Sequence, residues 1–444
     1  MVIMNSTYPP HKKLKTLLAL WNNGDLNQVA MEAKKLLRSY PRSITILNIL
    51  GTAYTNLNEP SVAIGFYSKA LRIQPDNAEI LNNRGNARVK LGEYELAILD
   101  FRRALSIDPK FSLAFSNLGL AFKAQGKLDK AADSFRKAVA TDSGLIDAYV
   151  HLGNTYFEQA KTSLARETFG HAIGLDSKCI DAYWNLFGAS TSLAEAKNWI
   201  TKCLAVCPSY ENARLMMSFI LAWEGDYSVL RNLSESKYSD HPYIRSYFWI
   251  LGLPERPSLH FNRWSFYDAV TKLCDTSRPF YEFGVWRGAS FRYLLKSFRN
   301  GFGFDTFRGL PENWYENERG SYNSQGEIPM LEGGEFIAGK FEQTLPKFFS
   351  QSRKFASLVN FDADLYSATL CALNNSKNII DQNTVLIFDE MLMNEHWEQD
   401  EFRALTEFCG RHQMQFRVVA VCLFSKQVAV RLENASGGCN HISN

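Results

Sequence analysis

The chain has 444 residues, 46% of them hydrophobic and 13% aromatic, which is too long for one average core and too apolar for a disordered chain, so two or three domains are expected. Its 49 basic and 46 acidic residues nearly cancel and are interleaved, which argues against a nucleic-acid partner or an anionic membrane surface. No apolar run reaches the roughly 18 residues of a membrane span, residues 1–10 carry no basic segment leading into an apolar one, and eight cysteines lie scattered without CxxC pairs, so the expectation is a cytoplasmic protein with free thiols and no membrane span.

Residues 1–9 read as a tail. From residue 10 an apolar and small-residue pattern returns every 34 residues, the mark of a repeat array. Leu47, Gly51, Tyr54, Ala63, Tyr67 and Ala70 come back as Leu81, Gly85, Ala97, Phe101 and Ala104. They return as Phe115, Gly119, Phe122, Ala131, Phe135 and Ala138, and again as Tyr149, Gly153, Tyr156, Ala165, Phe169 and Ala172. Units beginning at 10, 44, 78, 112, 146 and 180 tile residues 10–208, the first and last being degenerate. Spacings of three and four give each unit two amphipathic helices, and the small residues Gly51 and Ala63, or Gly85 and Ala97, let the pair approach closely. The pattern resembles the tetratricopeptide repeat (TPR), an all-α solenoid whose concave groove commonly takes an extended peptide or protein partner. Asn83, Asn117 and Asn185 share one repeat position, with His151 in the same register, and their amides can donate to and accept from a polypeptide backbone.

Over residues 209–277 the period is lost. An apolar helical run at 215–223 reads as a cap on the solenoid, Pro242, Pro254 and Pro257 punctuate a connector, and residues 262–274 read as a helix feeding the next domain.

Residues 278–433 alternate strand and helix, with a tail at 434–444. Apolar runs at 279–285, 301–307, 356–362, 384–390, 417–423 and 428–432 are separated by amphipathic stretches. That alternation predicts an α/β, Rossmann-like domain with a mostly parallel sheet and an antiparallel final hairpin. Ligands in such sheets bind beyond the carboxyl ends of the strands. The first run ends in Glu282, Gly284, Gly288 and Ser290, glycines that admit a ligand close to the backbone. The second ends in Asp305, 21 residues after Gly284, a distance at which an acid suits a ribose diol. Asp362 and Asp364 end the next run, and Asp389 and Glu390 the one after. Four acids at one sheet edge either hold a hard divalent cation or cap helices and bind loop amides.

The strings EFGVWRGAS, GFDTFRGLPE, GKFEQTLPKF, NFDADLYSAT and VLIFDE together resemble, in order, the macrocin O-methyltransferase family, class I enzymes that use S-adenosylmethionine to methylate sugar hydroxyls. The resemblance implies that Glu282, Gly284, Gly288, Ser290 and Asp305 bind S-adenosylmethionine, that Asp362, Asp389 and Glu390 bind Mg²⁺ or Mn²⁺, and that Asp364 is the general base. Asp389-Glu390 replaces the family's frequent Asp-Asp, and Ala289 stands where glycine is common. Residues 311–339, with Trp314, Tyr315, Tyr322, Glu312, Glu316, Glu318 and Glu327, are placed to form a lid, and the resemblance implies a sugar-containing acceptor. Two functions follow: an Mg²⁺-dependent O-methyltransferase whose repeats dock a polypeptide or glycoprotein, or a TPR interaction scaffold with a lapsed methyltransferase domain.

Overall fold

The structure, a computed structural model, describes residues 9–315, 317–324 and 326–434. The chain divides near residue 176 into two compact units.

The first unit is helical. It comprises α1 (His11–Asn22), α2 (Leu26–Ser39), α3 (Ile44–Asn56), α4 (Pro60–Ile73), α5 (Ala78–Lys90), α6 (Tyr94–Ile107), α7 (Ser112–Ala124), α8 (Leu128–Thr141), α9 (Ile146–Glu158) and α10 (Thr162–Leu175). Local chemistry starts the helices: Asp25, Ser43 and Asn77 accept the backbone N–H three residues on, and Pro60 sits in the first turn of α4, where its missing N–H costs nothing. The repeat glycines have a sharper role than closeness to an alanine. A Cβ at Gly51, Gly85, Gly119 or Gly153 would lie 2.4, 2.5, 2.7 or 2.4 Å from the ring of Tyr67, Phe101, Phe135 or Phe169, so each glycine is a socket for the aromatic residue 16 positions later.

The second unit opens with α11 (Ile180–Gly188), α12 (Leu193–Val206), α13 (Glu211–Trp223), α14 (Ser228–Ser234) and α15 (Pro242–Leu251), so that the described chain is helical from residue 11 to residue 251. The sixth repeat changes the pairing, with Phe187 where repeats two to five carry glycine and, after a three-residue deletion, Ile200 where they carry the ring, both fully buried. Phe187 packs edge-on against Phe261 and Phe424, at 5.4 and 5.9 Å between centroids, and a Cβ at Gly188 would meet the Phe424 ring at 2.5 Å. Although the sequence period runs to 208, packing therefore assigns the last helical pair to the α/β unit.

An eight-stranded mixed sheet follows, built from β1 (Ser258–His260), β2 (Phe280–Phe283), β3 (Gly301–Asp305), β4 (Gly334–Ala338), β5 (Leu358–Phe361), β6 (Val385–Phe388), β7 (Met414–Cys422) and β8 (Gln427–Asn434) in the order β1-β7-β8-β6-β5-β2-β3-β4. Between the strands run α16 (Arg263–Thr271), α17 (Ala289–Leu294), α18 (Phe341–Phe349), α19 (Tyr366–Ser376) and α20 (Glu401–His412). Only β8 is antiparallel to its neighbours β6 and β7, as the final hairpin predicted. The edge strands β1 and β4 were not anticipated: one has three residues and the other a half-exposed face, so neither carries a long apolar run. Chain order reverses between β2 and β5, which pair in parallel, and that switch point opens a crevice at their carboxyl ends.

Four phenylalanines level those ends. Phe304, Phe283, Phe361 and Phe388 are successive register partners on β3, β2, β5 and β6, and they stack at 5.0, 5.4 and 4.9 Å. The next residue on each strand is Asp305, Gly284, Asp362 or Asp389. The stack thus sets four candidate site residues in one row.

Candidate functional site

The row begins with a turn that only glycine can make. Gly284 has φ 91°, and a Cβ there would lie 1.6 Å from the carbonyl oxygen of Asp362, so β2 leaves the sheet pressed against β5. The turn runs on through Trp286 at φ 48° and Gly288 at φ 70°; the latter begins the six-residue α17. Asp305 organises this turn. One of its oxygens accepts the N–H groups of Val285 and Trp286 at 2.8 and 2.7 Å, and the other accepts that of Phe307 at 2.7 Å. A carboxylate offers about four lone-pair directions; the fourth meets the Thr306 hydroxyl only at 3.5 Å, a group that also donates to the Gly309 carbonyl at 2.9 Å, so a ligand hydroxyl would compete for a weakly held position.

Glu282, one residue before the Phe283 rung, is fully buried and accepts a hydrogen bond from the Ser290 hydroxyl. Burial pushes its carboxyl up to about 8, against the lowering effect of Ser290. It holds α17 to β2 from beneath the turn.

The acids on the other side of the switch point repel one another. Asp362 follows β5, its N–H bonded to the Phe283 carbonyl. Its carboxyl is raised well above the ordinary range by burial and by the charges of Asp389, Asp364 and Glu282. Asp364, at φ 59°, is pushed up to about 8 by burial and by Glu390, Asp389 and Asp305. Asp389 is engaged: its Oδ1 accepts from Arg263 Nη2 at 3.2 Å and from the Gln427 side-chain amide. Glu390 accepts from Asn394 Nδ2 at 3.0 Å. Sequence reasoning missed Arg263 and Gln427, since neither belongs to a strand-end acid pair.

It also missed Glu401, at the start of α20. This residue is 1% exposed, and neither carboxylate oxygen has a hydrogen-bond partner among the described residues. Burial, followed by Asp389, Asp364 and Glu390, raises it well above the ordinary carboxyl range.

The segment expected to form a lid lies beside these acids. Ser324 Oγ and the Gly326 N–H bond to the Phe307 carbonyl, Ser367 Oγ donates to Glu312, and Tyr315 OH donates to Asp400 at 3.0 Å while its ring packs on His396. Tyr322 faces the acids closely enough for Asp364, Glu390 and Asp362, after burial, to raise its hydroxyl, and it meets Trp286 edge-on at 6.1 Å. Glu316 lies outside the described residues.

The donor set can be tested against the expected cation. Its carboxylates suit a hard ion by type. Among the described residues, however, no three His, Cys, Asp or Glu side chains are grouped so as to hold a metal. The set Asp362, Asp389 and Glu390 therefore does not fit a preformed Mg²⁺ or Mn²⁺ centre, because an arginine, a glutamine and an asparagine already occupy two of its members.

In the helical half the amides bind one another. Asn117 Nδ2 donates to Asn82 Oδ1 at 2.8 Å, Asn82 to Asn83 at 3.4 Å, Asn83 to Asn48 at 3.1 Å and Asn48 to Glu79 at 3.1 Å. Contacts between repeats thus fall 35 residues apart, not 34. Asn83 and Asn117 belong to this chain of amides, whereas Asn185 stands half-buried on α11 in the second unit. No helix among the described residues is long and apolar enough to cross a membrane.

A comparison with curated proteins returns no match. Among solved structures, MamA is 26% identical over 36% of this chain and 94% of its own, with a TM-score of 0.33. PilF of Pseudomonas aeruginosa is 19% identical over 47% and 96%, with a TM-score of 0.41, and the type IV pilus biogenesis factor PilW is 21% identical over 46% and 96%, with a TM-score of 0.42. The family described as TPR repeat matches residues 51–92, 85–126 and 119–160, and the one described as tetratricopeptide repeat matches 146–179. Residues 51–179 thus match tetratricopeptide-repeat models, an array of the kind that serves as a protein-interaction scaffold, and an α/β domain follows in the same chain.

Proposed function

We propose that the α/β domain is an S-adenosylmethionine-dependent O-methyltransferase acting on a sugar-type hydroxyl, and that the repeats bring it a polypeptide or glycoprotein. The observation that carries this reading is the switch-point crevice, where a turn that excludes any Cβ at Gly284 meets a row of acids set by one phenylalanine stack. Asp305 has one acceptor position held only by the 3.5 Å Thr306 contact, which a ribose hydroxyl would take, and Glu282 with Ser290 fixes the turn from below. When bound, S-adenosylmethionine supplies a methyl group on a sulfonium, which an oxygen nucleophile displaces in line.

The chain's own part is to orient the acceptor and take its proton. A free alcohol is a poor nucleophile at neutral pH, and a carboxylate matched to that pH removes its proton best. Asp364, raised to about 8, is a stronger base than an ordinary aspartate once ionised. Tyr322, which faces Asp364, and the exposed Trp286 that meets it edge-on would offer flat apolar faces to a sugar ring and help exclude water. The expected Mg²⁺ or Mn²⁺ enters none of these steps, given the engaged state of Asp389 and Glu390.

The test is methyl transfer from labelled S-adenosylmethionine to a panel of vicinal-diol sugars and glycoproteins by the full chain. Asp364→Asn is expected to lower kcat by about 10² to 10⁴ while leaving S-adenosylmethionine binding intact. Equal transfer by the variant would remove Asp364 from the base role. Absence of both binding and transfer in the native chain would favour the interaction scaffold with a lapsed domain.

A further inference from the structure

We infer that Arg263 is the resident cation of the acid crevice, so that this site works without a divalent metal at Asp389. Three contacts point there. Arg263 Nη2 stands 3.2 Å from Asp389 Oδ1. Gln427, fully buried on β8, donates its side-chain amide to the same oxygen and lies 3.2 Å from the Tyr267 hydroxyl. Glu390 is held by Asn394, which in turn accepts from Lys426. A cation on Asp389 Oδ1 would have to displace a guanidinium and a buried amide from that oxygen, and on either oxygen it would sit beside a positive charge.

The arginine is itself held in place. It is the first residue of α16, whose N-cap Asn262 is 1% exposed and accepts the Trp264 N–H at 2.9 Å. The Asn262 amide donates to the Ala189 carbonyl at the end of α11 at 3.4 Å. The last repeat pair thus reaches the site in two steps, from Ala189 through Asn262 to Arg263. Arg263 also lies within charge reach of Asp362. It therefore offsets both strand-end acids that a metal would otherwise bridge, and it is a positioning residue for Asp389.

The inference concerns cation binding and holds whether or not the crevice transfers a methyl group. Titrating the full chain with Mn²⁺ and reading free ion by electron paramagnetic resonance tests it. The native chain is expected to show no site tighter than about 1 mM. Arg263→Met is expected to create one at least about tenfold tighter, and adding Asp389→Asn to that variant is expected to abolish it. A micromolar site in the native chain that Asp389→Asn removes would overturn the inference, as would an Arg263→Met chain that folds, judged by circular dichroism, and binds no better than native. Arg263→Lys keeps the charge and is expected to stay as blind to Mn²⁺ as the native chain; Mn²⁺ binding equal to that of Arg263→Met would also overturn it.

Discussion

Glu282 shows how the crevice is held at some cost. In the unfolded chain a glutamate ionises near about pH 4.3, whereas in the fold burial keeps this one protonated up to about 8. Between those values the folded state binds more protons than the unfolded state, so its contribution falls as pH rises. Glu282→Gln is therefore expected to stabilise the chain by on the order of 2 to 4 kcal/mol near pH 8.5 and to change little near pH 4. Thermal melts at the two pH values check this; an equal shift at both would contradict it. The same sign logic applies to Asp364. With its carboxyl near 8, methyl transfer is expected to rise with pH until about 8 and then level, and a rate already flat from pH 6 would rule it out as the base. In the repeats, Gly119→Ala forces a Cβ to 2.7 Å from the Phe135 ring. A loss of about 1 to 3 kcal/mol is expected, with partial recovery when Phe135→Leu is added. Chemical denaturation of both variants decides it, and an additive loss would disprove the socket.

At the scale of elements, the repeat helices are joined by polar devices as well as by apolar stripes. Asp100, buried on α6, takes Arg84 through both oxygens at 2.6 and 2.9 Å and Arg88 at 2.7 Å. Asp100→Ala would take the shared carboxylate from both guanidinium groups, leaving Arg84 with Ser68 and Arg88 with the Leu96 carbonyl, and a loss of about 2 to 4 kcal/mol is expected; a melting temperature within error of native would show the node to be idle. Much of this level was legible in the sequence. The 34-residue return of glycine, alanine and aromatic residues gave six helical pairs, and the runs ending in Phe-Asp or Phe-Gly gave the strands that carry the site. The amide chain was only half visible, because contacts at 35 residues join Asn117 to Asn82 and Asn83 to Asn48, partners that do not share one repeat position. Arg263 and Gln427 were invisible, since their role depends on α16 and β8 meeting β6 in space. Glu401 gave no signal either: an acid at a helix start ordinarily faces water, and only its burial sets it apart.

At the scale of the whole chain, the sixth repeat belongs with the sheet. Phe187, Gly188 and Asn262 lock α11 to residues of the α/β domain. Arg245 on α15 pairs with Glu398 at 2.7 Å, and Ser246 accepts the Met393 N–H at 2.9 Å. A fragment starting near residue 259 would lose all of these, so its melting temperature is expected to fall at least about 10 °C below that of a fragment starting near 177. Equal melting temperatures would show the helices to be dispensable to the domain. The central proposal is that the α/β domain following the repeats binds S-adenosylmethionine at the β2/β5 switch point. Calorimetric titration of the full chain with S-adenosylmethionine, with and without chelator, tests it most directly. The account predicts one molecule bound per chain, unchanged by chelator and weakened by about 1.5 to 3 kcal/mol in Asp305→Ala. No saturable binding, or binding untouched by Asp305→Ala, would contradict it.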